Sequence, residues 1–465
     1  IPAIYRSLTC NTSKEMTAFS DYPFPDDYPN YMHNSKMMEY LQMYVKHFEL
    51  LKHICFLVCS VRKRSDFSST GQWDVVVDTD GKQESYIFDG IMVCSGHYTY
   101  PNLPLKDFPG IRKFKRPYFH TWEYKNPEKF SGKRIVVIGI GNSGADVACE
   151  LSHVAKQVFL STRRGAWIWN RVWDNGNPMD TVLFTRFYNN ISNWLTTSVI
   201  NNWAENKLNY KFNHTNFGVQ PQHRFLSHQP TFGDDMPNCI ISGRLLVKPN
   251  VMEFTENTAI FEDGTEEEID VVIFATGYTF DFSFLEDDFK NIGSQNSTYK
   301  FVFPPFLEKP TLAFIGILQP VGATIPTSEL QSRWAVRIFK GLNKLPSKKY
   351  MIADIKRTRV PYVQYMDEIA SEIGVKPNVF CLFLRDPKLA LEVFFGPCTA
   401  YQYRLQGPGK WAGARTAILT QRERIIKPIK TRVLYHNQPP SSKLSWLLGT
   451  CLSLALFIFV FLMNR

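Results

Sequence analysis

The sequence predicts an α/β fold with two parallel-sheet domains, and three observations carry that expectation. The first is Lys133–Gly165. A β-branched run, Ile135–Ile138, breaks into Gly139-Ile-Gly141-Asn142-Ser143-Gly144. The chain goes on as Ala145, Val147, Ala148, Leu151 and Val154 at helical spacing and ends in a second apolar run, Val158–Leu160. The second observation is that the chain repeats itself. Residues 71–100 and 257–280 each read strand, Asp-Gly turn (Asp80-Gly81; Asp263-Gly264), strand, Asp (Asp89; Asp270), apolar strand and Ser/Thr-Gly (Ser95-Gly96; Thr276-Gly277). The third is that only the later copy has an opening strand, glycine turn and helix. Residues 1–70 offer none in succession, so the chain is expected to begin inside its first domain.

A strand running into Gly-x-Gly-x-x-Gly and a helix is the context in which that motif binds a dinucleotide. Gly139 lets the chain turn, Gly141 lets backbone approach a pyrophosphate, and Gly144 lets the helix pack on the strand. The helix start offers free N–H groups and a partial positive charge to phosphate. The alternative is a glycine-rich turn with no ligand. The second strand ends in Ser161-Thr162-Arg163-Arg164, with no carboxylate to hold a ribose 2′-hydroxyl. Two arginines and two hydroxyls suit a 2′-phosphate, which favours NADP over NAD. A solvated basic loop is the other reading.

Composition sets outer limits. A chain of 465 residues can hold two or three domains with proper cores. Its net charge of +10 is scattered among acids with no long basic run, which argues against nucleic-acid binding and leaves affinity for an anionic cofactor or membrane. Nine cysteines lie far apart except Cys55 and Cys59, with no CxxC. That pattern gives neither a disulfide framework nor a metal site, and it fits a reducing compartment. No N-terminal signal peptide is read.

Taken in order, residues 1–130 form the first segment of one nucleotide-binding domain, with a Pro/Asp/Tyr-rich loop at Asp21–Tyr31, a helix from Ser35 to about His53 and a Pro-rich connection at 101–130. Residues 131–300 form the second domain. Residues 165–240 interrupt it with Trp167, Trp169, Trp173, Phe184, Phe187, Trp194 and Trp203, at largely helical spacing, as core or as a lipid- or substrate-facing surface. Residues 301–430 return to the first domain. There a strand is expected at Thr311–Gly316, then a helix beginning at Pro326-Thr-Ser-Glu with a hydroxyl cap and an acid in its first turn. Leu444–Met463 is an apolar stretch without a formal charge. At about 1.5 Å per residue it matches a hydrocarbon core of roughly 30 Å and reads as a transmembrane helix. Lys427, Lys430, Arg432 and Lys443 precede it, which places the bulk of the chain in the cytosol. A C-terminal anchor in the endoplasmic reticulum membrane is the natural form.

Together these motifs resemble the vertebrate flavin-containing monooxygenases (dimethylaniline monooxygenase, N-oxide-forming) over essentially the whole length. Gly139–Gly144 with Asn142-Ser143 is similar to their NADPH fingerprint. Phe114, His120 and Tyr124 match their FxGxxxHxxxY signature, with Arg116 where the glycine stands. Ala275-Thr276-Gly277-Tyr278, Phe395-Gly-Pro-Cys398, Gly407-Pro-Gly-Lys-Trp411 and Gly413-Ala-Arg415 resemble further landmarks. The resemblance implies an NADPH- and FAD-dependent enzyme that passes one oxygen atom of O2, through a C4a-hydroperoxyflavin, to small nitrogen or sulfur nucleophiles such as xenobiotic amines and sulfides. It implies Asn11, just before Lys14-Glu15-Met16, as catalytic. It places Cys10 and Asn11 at NADP, Asn11 and Thr12 at the flavin, and Ser143, Gly144, Ala145 and Asp146 along the pyrophosphate. Arg163 is placed at the 2′-phosphate, and Thr276 among the cofactor-binding residues. Read without the family, Asn11 is an ordinary loop residue. Were the glycine position to need a left-handed backbone, Arg116 would cost about 1 kcal/mol or more. Two alternatives stand beside this: a membrane-anchored relative that binds NADP but not FAD and catalyses nothing, and Baeyer–Villiger oxidation of ketones, against which Tyr124 argues; association into a homo-oligomer is compatible with each.

Overall fold

The run Arg134–Ile138 sits at the middle of a five-stranded sheet because both of its faces are covered. In the computed structural model the strand order is Leu245–Lys248, Gln157–Ser161, Arg134–Ile138, Val271–Phe274, Tyr118–His120, every pairing parallel. Successive side chains of a strand point to opposite faces. Ile135 and Val137 therefore join a core with Ala145, Val147, Ala148 and Leu151 of the helix Asn142–Leu151. Val136 and Ile138 join a second core with Phe108, Phe254, Phe261 and Phe274. A strand buried on both sides is apolar throughout, which is why no alternation is visible in it. The structure describes residues 3–54, 57–96, 98–290, 292, 297–318, 321–355 and 361–432. Residues 1–428 form one unit; of the second, Ile429–Arg465, only 429–432 are described.

The repeat read from the sequence is present in three dimensions and is one strand longer than expected. Val58–Lys63, Trp73–Thr79 and Lys82–Phe88 form an antiparallel three-stranded sheet, as do Val251–Phe254, Thr258–Phe261 and Glu266–Glu268. Each leads into a short parallel strand, Ile91–Val93 in the first copy and Val271–Phe274 in the second. Asp80 and Gly81 both adopt positive φ, 53° and 84°, the backbone a two-residue hairpin demands. The parallel ladder of the first copy consists, among the described residues, of Ile91–Val93 and Leu312–Phe314.

Three expectations change. The helix expected at Pro326 starts earlier, at Thr324, and runs to Phe339. Its N-cap is Ala323 without a side-chain cap, and no acid stands in its first turn. Thr327, taken as part of a cap, instead donates its hydroxyl back to the Ala323 carbonyl at 2.9 Å. Helical spacing holds for Phe187, Trp194 and Trp203, which lie on Arg186–Trp194 and Thr197–Lys211. It fails for Trp169, on the strand Ile168–Trp169 that pairs in parallel with Thr231–Phe232, and for Trp167 just before it. Arg116 is exposed and is not among the residues with positive φ, so its replacement of glycine carries no backbone strain. Among the described residues no helix is long and apolar enough to cross a membrane; Leu444–Met463 lies outside them.

The sequence Lys14-Glu15-Met16 folds as a buried helical turn, Lys14–Thr17. Lys14 Nζ donates to the carbonyls of Asp26 and Tyr28 at 2.7 and 2.9 Å. Met16 enters the core built around Trp334 and Tyr365. Glu15, 1% exposed, accepts from both Arg424 Nε and Nη2, at 2.9 and 2.6 Å, on the C-terminal helix Ala414–Ile426. Removing one member of a buried pair leaves the other charge uncompensated. Glu15→Ala is therefore expected to lower the free energy of unfolding by about 3–5 kcal/mol, read from guanidinium denaturation, whereas Arg415→Ala, on the exposed side of the same helix, costs under about 1 kcal/mol.

Candidate functional site

The glycine turn shows which of its residues the protein needs for itself. Gly139 has φ +109°, and a Cβ there would stand 2.5 Å from the Ala275 carbonyl oxygen. A Cβ on Gly144 would stand 2.0 Å from the Gly139 carbonyl oxygen, so helix and strand could not close together. Gly141 differs. It is the extended N-cap residue of Asn142–Leu151, and a Cβ there meets nothing within 4 Å. No protein atom requires glycine at 141; the space beside it is open. No side chain caps this helix start, so the first-turn amides of Asn142, Ser143 and Gly144 face that space unclaimed by a cap. Such a cradle fits a pyrophosphate.

Gly141 and Asn142 line a cavity of about 330 Å³, and Asn142 also lines a neighbouring one of about 570 Å³; the two share Tyr98, Asn142, Gln229 and Pro230. The larger brings Cys10, Asn11 and Thr12 to the same wall as Asn142, although more than a hundred residues separate them in sequence. It also takes in Cys94, Ser95 and Gly96 from the end of the first parallel strand, and Thr324 and Ile325 from the uncapped start of Thr324–Phe339. A flavin ring fits that end, since uncapped amides can hold its carbonyl oxygens.

Asn11 is oriented by a residue that the sequence reading missed. Arg171 Nη2 donates to Asn11 Oδ1 at 2.7 Å and Arg171 Nε donates to the Cys10 carbonyl at 3.2 Å. Arginine has no acceptor, so the atom facing it must be the amide oxygen, and the Asn11 NH2 is left for other directions. Arg171 is itself fixed by Asp234, through the ion pair at 2.7 Å and the Arg171 amide donating to Asp234 Oδ1 at 2.8 Å. On the other side of the turn, the Ser13 amide donates to Asp180 Oδ2 at 2.6 Å. Asp180 is fully buried and lines the larger cavity; burial pushes its carboxyl up to about 6, against the Ser13 donors that pull it down. A charged residue between Trp169 and Trp173, and acids within the aromatic-rich insertion at 180 and 234, were the available signals for these three.

The remaining expected residues divide. Thr12 donates to or accepts from Thr17 at 2.8 Å on the cavity wall. Arg163 is exposed just past the strand Gln157–Ser161, and no ion pair is formed by it or Arg164 among the described residues. Ala145 is buried in the core, and Asp146 accepts from the Tyr5 hydroxyl at 2.7 Å; neither lines the two cavities. Thr276 donates its hydroxyl to the Asn102 carbonyl at 2.5 Å, while its neighbours Gly277 and Tyr278 line the smaller cavity. Phe114, His120 and Tyr124 line neither: Phe114 packs on Phe254, His120 lies edge-on to Tyr278, and Tyr124 donates to Glu150 Oε2 at 2.9 Å, bracing the glycine-turn helix.

A family model described as flavin-binding monooxygenase-like matches residues 1–465. Flavin-containing monooxygenase 5 of Rattus norvegicus is 56% identical over 459 residues, covering 95% of this chain and 86% of the relative. Dimethylaniline monooxygenase (N-oxide-forming) 2 of Mus musculus is 51% identical, covering 98% and 89%. Among solved structures, an S-allyl-L-cysteine S-oxygenase from Allium sativum superposes with a TM-score of 0.58 at 22% identity, over 91% of this chain and 85% of that one. The open form of a cyclohexanone monooxygenase superposes with 0.59 at 17%, over 79% and 88%. These two likenesses are of fold.

The two glycines are expected to separate when each is replaced in ligand-free protein. Gly144→Ala drives a Cβ into a carbonyl and costs about 1–3 kcal/mol or more in guanidinium unfolding, whereas Gly141→Ala stays within about 1 kcal/mol of the parent.

Proposed function

The chain belongs to the flavin-binding monooxygenase-like family, and from that premise we propose that it is an NADPH- and FAD-dependent monooxygenase acting on soft nitrogen or sulfur nucleophiles. That it is an enzyme of the flavin-containing monooxygenase type, using flavin, O2 and small-molecule substrates, follows from family membership. The observation carrying the finer proposal is that Asn11 and Asn142, from distant parts of the chain, line one cavity, and that Asn142 opens the glycine-turn helix. When bound, reduced flavin supplies the electrons and, with O2, the oxygen atom.

The chain's own residues supply position and exclusion. The first-turn amides of Asn142–Leu151 would hold the pyrophosphate of NADP beside Gly139, Gly141 and Gly144, and Arg163 would pair with its 2′-phosphate. Cys10, Asn11 and Thr12 meet the cofactors at the reacting end. Asn11 is a neutral donor held in one orientation by Arg171, so it would offer its N–H groups to the bound cofactors without delivering an acidic proton. A soft nucleophile needs no activating base, so no protein nucleophile is required. Ala145, Asp146 and Thr276 stay in the proposal as supports of the turn.

Residues 1–130 and 301–430 are assigned to a flavin domain, 131–300 to an NADP domain with 165–240 as its insertion, and 444–463 to an anchor in the endoplasmic reticulum membrane with the enzyme facing the cytosol. What supports the last is the uncharged run and the basic residues before it. A second reading, NADP binding without flavin or catalysis, is favoured by the two-stranded parallel ladder of the first copy among the described residues. Flavin absorbance of the purified chain separates the two. With added FAD, NADPH oxidation that rises with a thiocarbamide-type sulfur substrate supports the monooxygenase; oxidation yielding only peroxide in its presence argues against it.

Loss of one charge-assisted pair is worth about 1.5–3 kcal/mol, or roughly 10–100-fold. Arg163→Ala is expected to weaken NADPH by that factor in steady-state and binding measurements while leaving NADH unchanged. Equal losses for the two nucleotides would place the 2′-phosphate elsewhere.

A further inference from the structure

Two thiols outside the site meet across a pair of helices. Cys149 lies on the glycine-turn helix Asn142–Leu151 and Cys239 on the short helix Met236–Ile241, and the two helices pack together. Arg244 bridges their ends. Its Nη1 donates to His153 Nδ1 at 2.7 Å, just past the first helix, and its Nε donates at 2.9 Å to the hydroxyl of Ser242, the C-cap residue of the second. Cys239 is buried in the core behind the glycine turn, and half-buried Cys149 packs against that core. Both are free thiols, and the Cys149 thiol donates to the Cys239 sulfur, although 90 positions separate the two in sequence. Neither has a part in the proposed oxygen transfer. Thiols in contact with each other and beside a guanidinium match a redox pair, whereas a structural cysteine sits alone among apolar groups.

We propose that Cys149 and Cys239 are a redox pair that hydrogen peroxide closes into a reversible disulfide, joining the glycine-turn helix to the end of the 165–240 insertion. The loop so closed contains nearly all of that insertion, including Arg171 and Asp180, which hold the turn that carries Asn11. The pair reaches the surface at Cys149, where a water-sized oxidant can enter. In the first step the Cys239 thiolate attacks one peroxide oxygen, the O–O bond breaks, and the departing hydroxide takes up a proton as water. In the second, the Cys149 sulfur attacks the resulting sulfenic sulfur, the S–O bond breaks, and hydroxide leaves with the Cys149 proton as a second water. The two sulfurs give up two electrons and the peroxide accepts them. On the proposed function, peroxide is also what turnover releases when no substrate takes the oxygen.

The surroundings decide which sulfur attacks. The thiol hydrogen bond from Cys149 lowers Cys239 to about 6, against burial, and the Ser152 hydroxyl, Arg244 and His153 act in the same direction. Cys149 is pushed up by that same bond, then by burial, the Cys239 charge, Asp146 and Asp235. Since the thiolate is the nucleophile, the reaction speeds up as pH rises through about 6 and then levels off. An ordinary thiol, near 8.5, keeps gaining over the range where this pair has stopped.

The test exposes the reduced full chain, freed of reductant, to hydrogen peroxide. Remaining thiols are alkylated, and peptides from a digest without reductant are mapped by mass. The expected product is a Cys149–Cys239 linked peptide, lighter by two hydrogens and lost on treatment with dithiothreitol. Its rate of formation rises about tenfold from pH 5 to 7 and less than about twofold from 7 to 8.5, where ordinary thiols gain more than about tenfold. Cys149→Ser is expected to accumulate a sulfenic acid at Cys239 that dimedone traps, and Cys239→Ser to leave Cys149 unmodified over the same time. The oxidised parent melts about 3–5 °C above the reduced one, a gain absent from peroxide-treated Cys239→Ser. Failure of the linked peptide to form while exposed Cys94 and Cys381 are oxidised overturns the pair. A link formed with the pH profile of an ordinary thiol overturns Cys239 as the attacking sulfur, and an oxidised parent that melts no higher overturns the joining of helix and insertion. No cofactor enters these measurements, so either result leaves the proposed function to its own test.

Discussion

The turn Cys10–Ser13 is held from two sides by buried charge, and the rest of the site depends on that restraint. Arg171 takes the Asn11 side-chain oxygen and the Cys10 carbonyl; Asp180 takes the Ser13 amide. A four-residue turn carries little packing of its own, and each free backbone residue costs roughly 1–2 kcal/mol of conformational entropy to order. The two clamps reach the turn from the insertion at 165–240, whereas the helical turn after it is anchored by Lys14 to Asp26 and Tyr28 and by Glu15 to Arg424. One short segment is thus fixed to three distant parts of the chain. Its position is a property of the assembled fold rather than of its own sequence.

That dependence marks what was legible in the residues alone. The second nucleotide half could be read directly, because strand, glycine turn and helix are local patterns: Arg134–Ile138, the uncapped start at Asn142 and the repeat around Asp263-Gly264 all write their geometry into adjacent positions. The internal repeat was legible for the same reason, and its extra strands at Val58–Lys63 and Val251–Phe254 were missed because they lack a turn signal that links them to their neighbours. Arg171, Asp180 and Asp234 could not be found this way. Arg171 and Asp180 act on residues 160 and 167 positions earlier and Asp234 on Arg171, 63 positions earlier, and no periodicity records such contacts. The start of the helix at Thr324 was misplaced because Thr327-Ser328-Glu329 imitates a capping sequence one turn inside the helix that contains it.

The landmark residues of the family resemblance divide by physical task. Gly141 leaves a space that the protein does not need, and Asn11 lines a cavity; these are the positions that the proposed cofactor site accounts for. Gly139 and Gly144 are demanded by carbonyl oxygens of the fold itself, and Tyr124 by Glu150 on the helix behind the turn. A motif is therefore a mixture of binding and bracing, and only the coordinates tell which letter is which. Arg116 illustrates the converse: it departs from the motif at an exposed position with ordinary backbone, where the departure costs nothing structural.

The same distinction bears on why the catalytic assignment falls on an amide. A carboxylic acid at position 11, pressed against Arg171, would be held ionised and would offer the cavity an acceptor only. An asparagine there gives its oxygen to the arginine and keeps two N–H donors for the cavity. The carboxyl beside it, Asp180, is buried behind the turn and accepts the Ser13 amide, so it fixes the backbone that carries Asn11. Arg171 and Asp180 together set the position from which Asn11 donates, one through its side-chain oxygen and the other through the backbone two residues on.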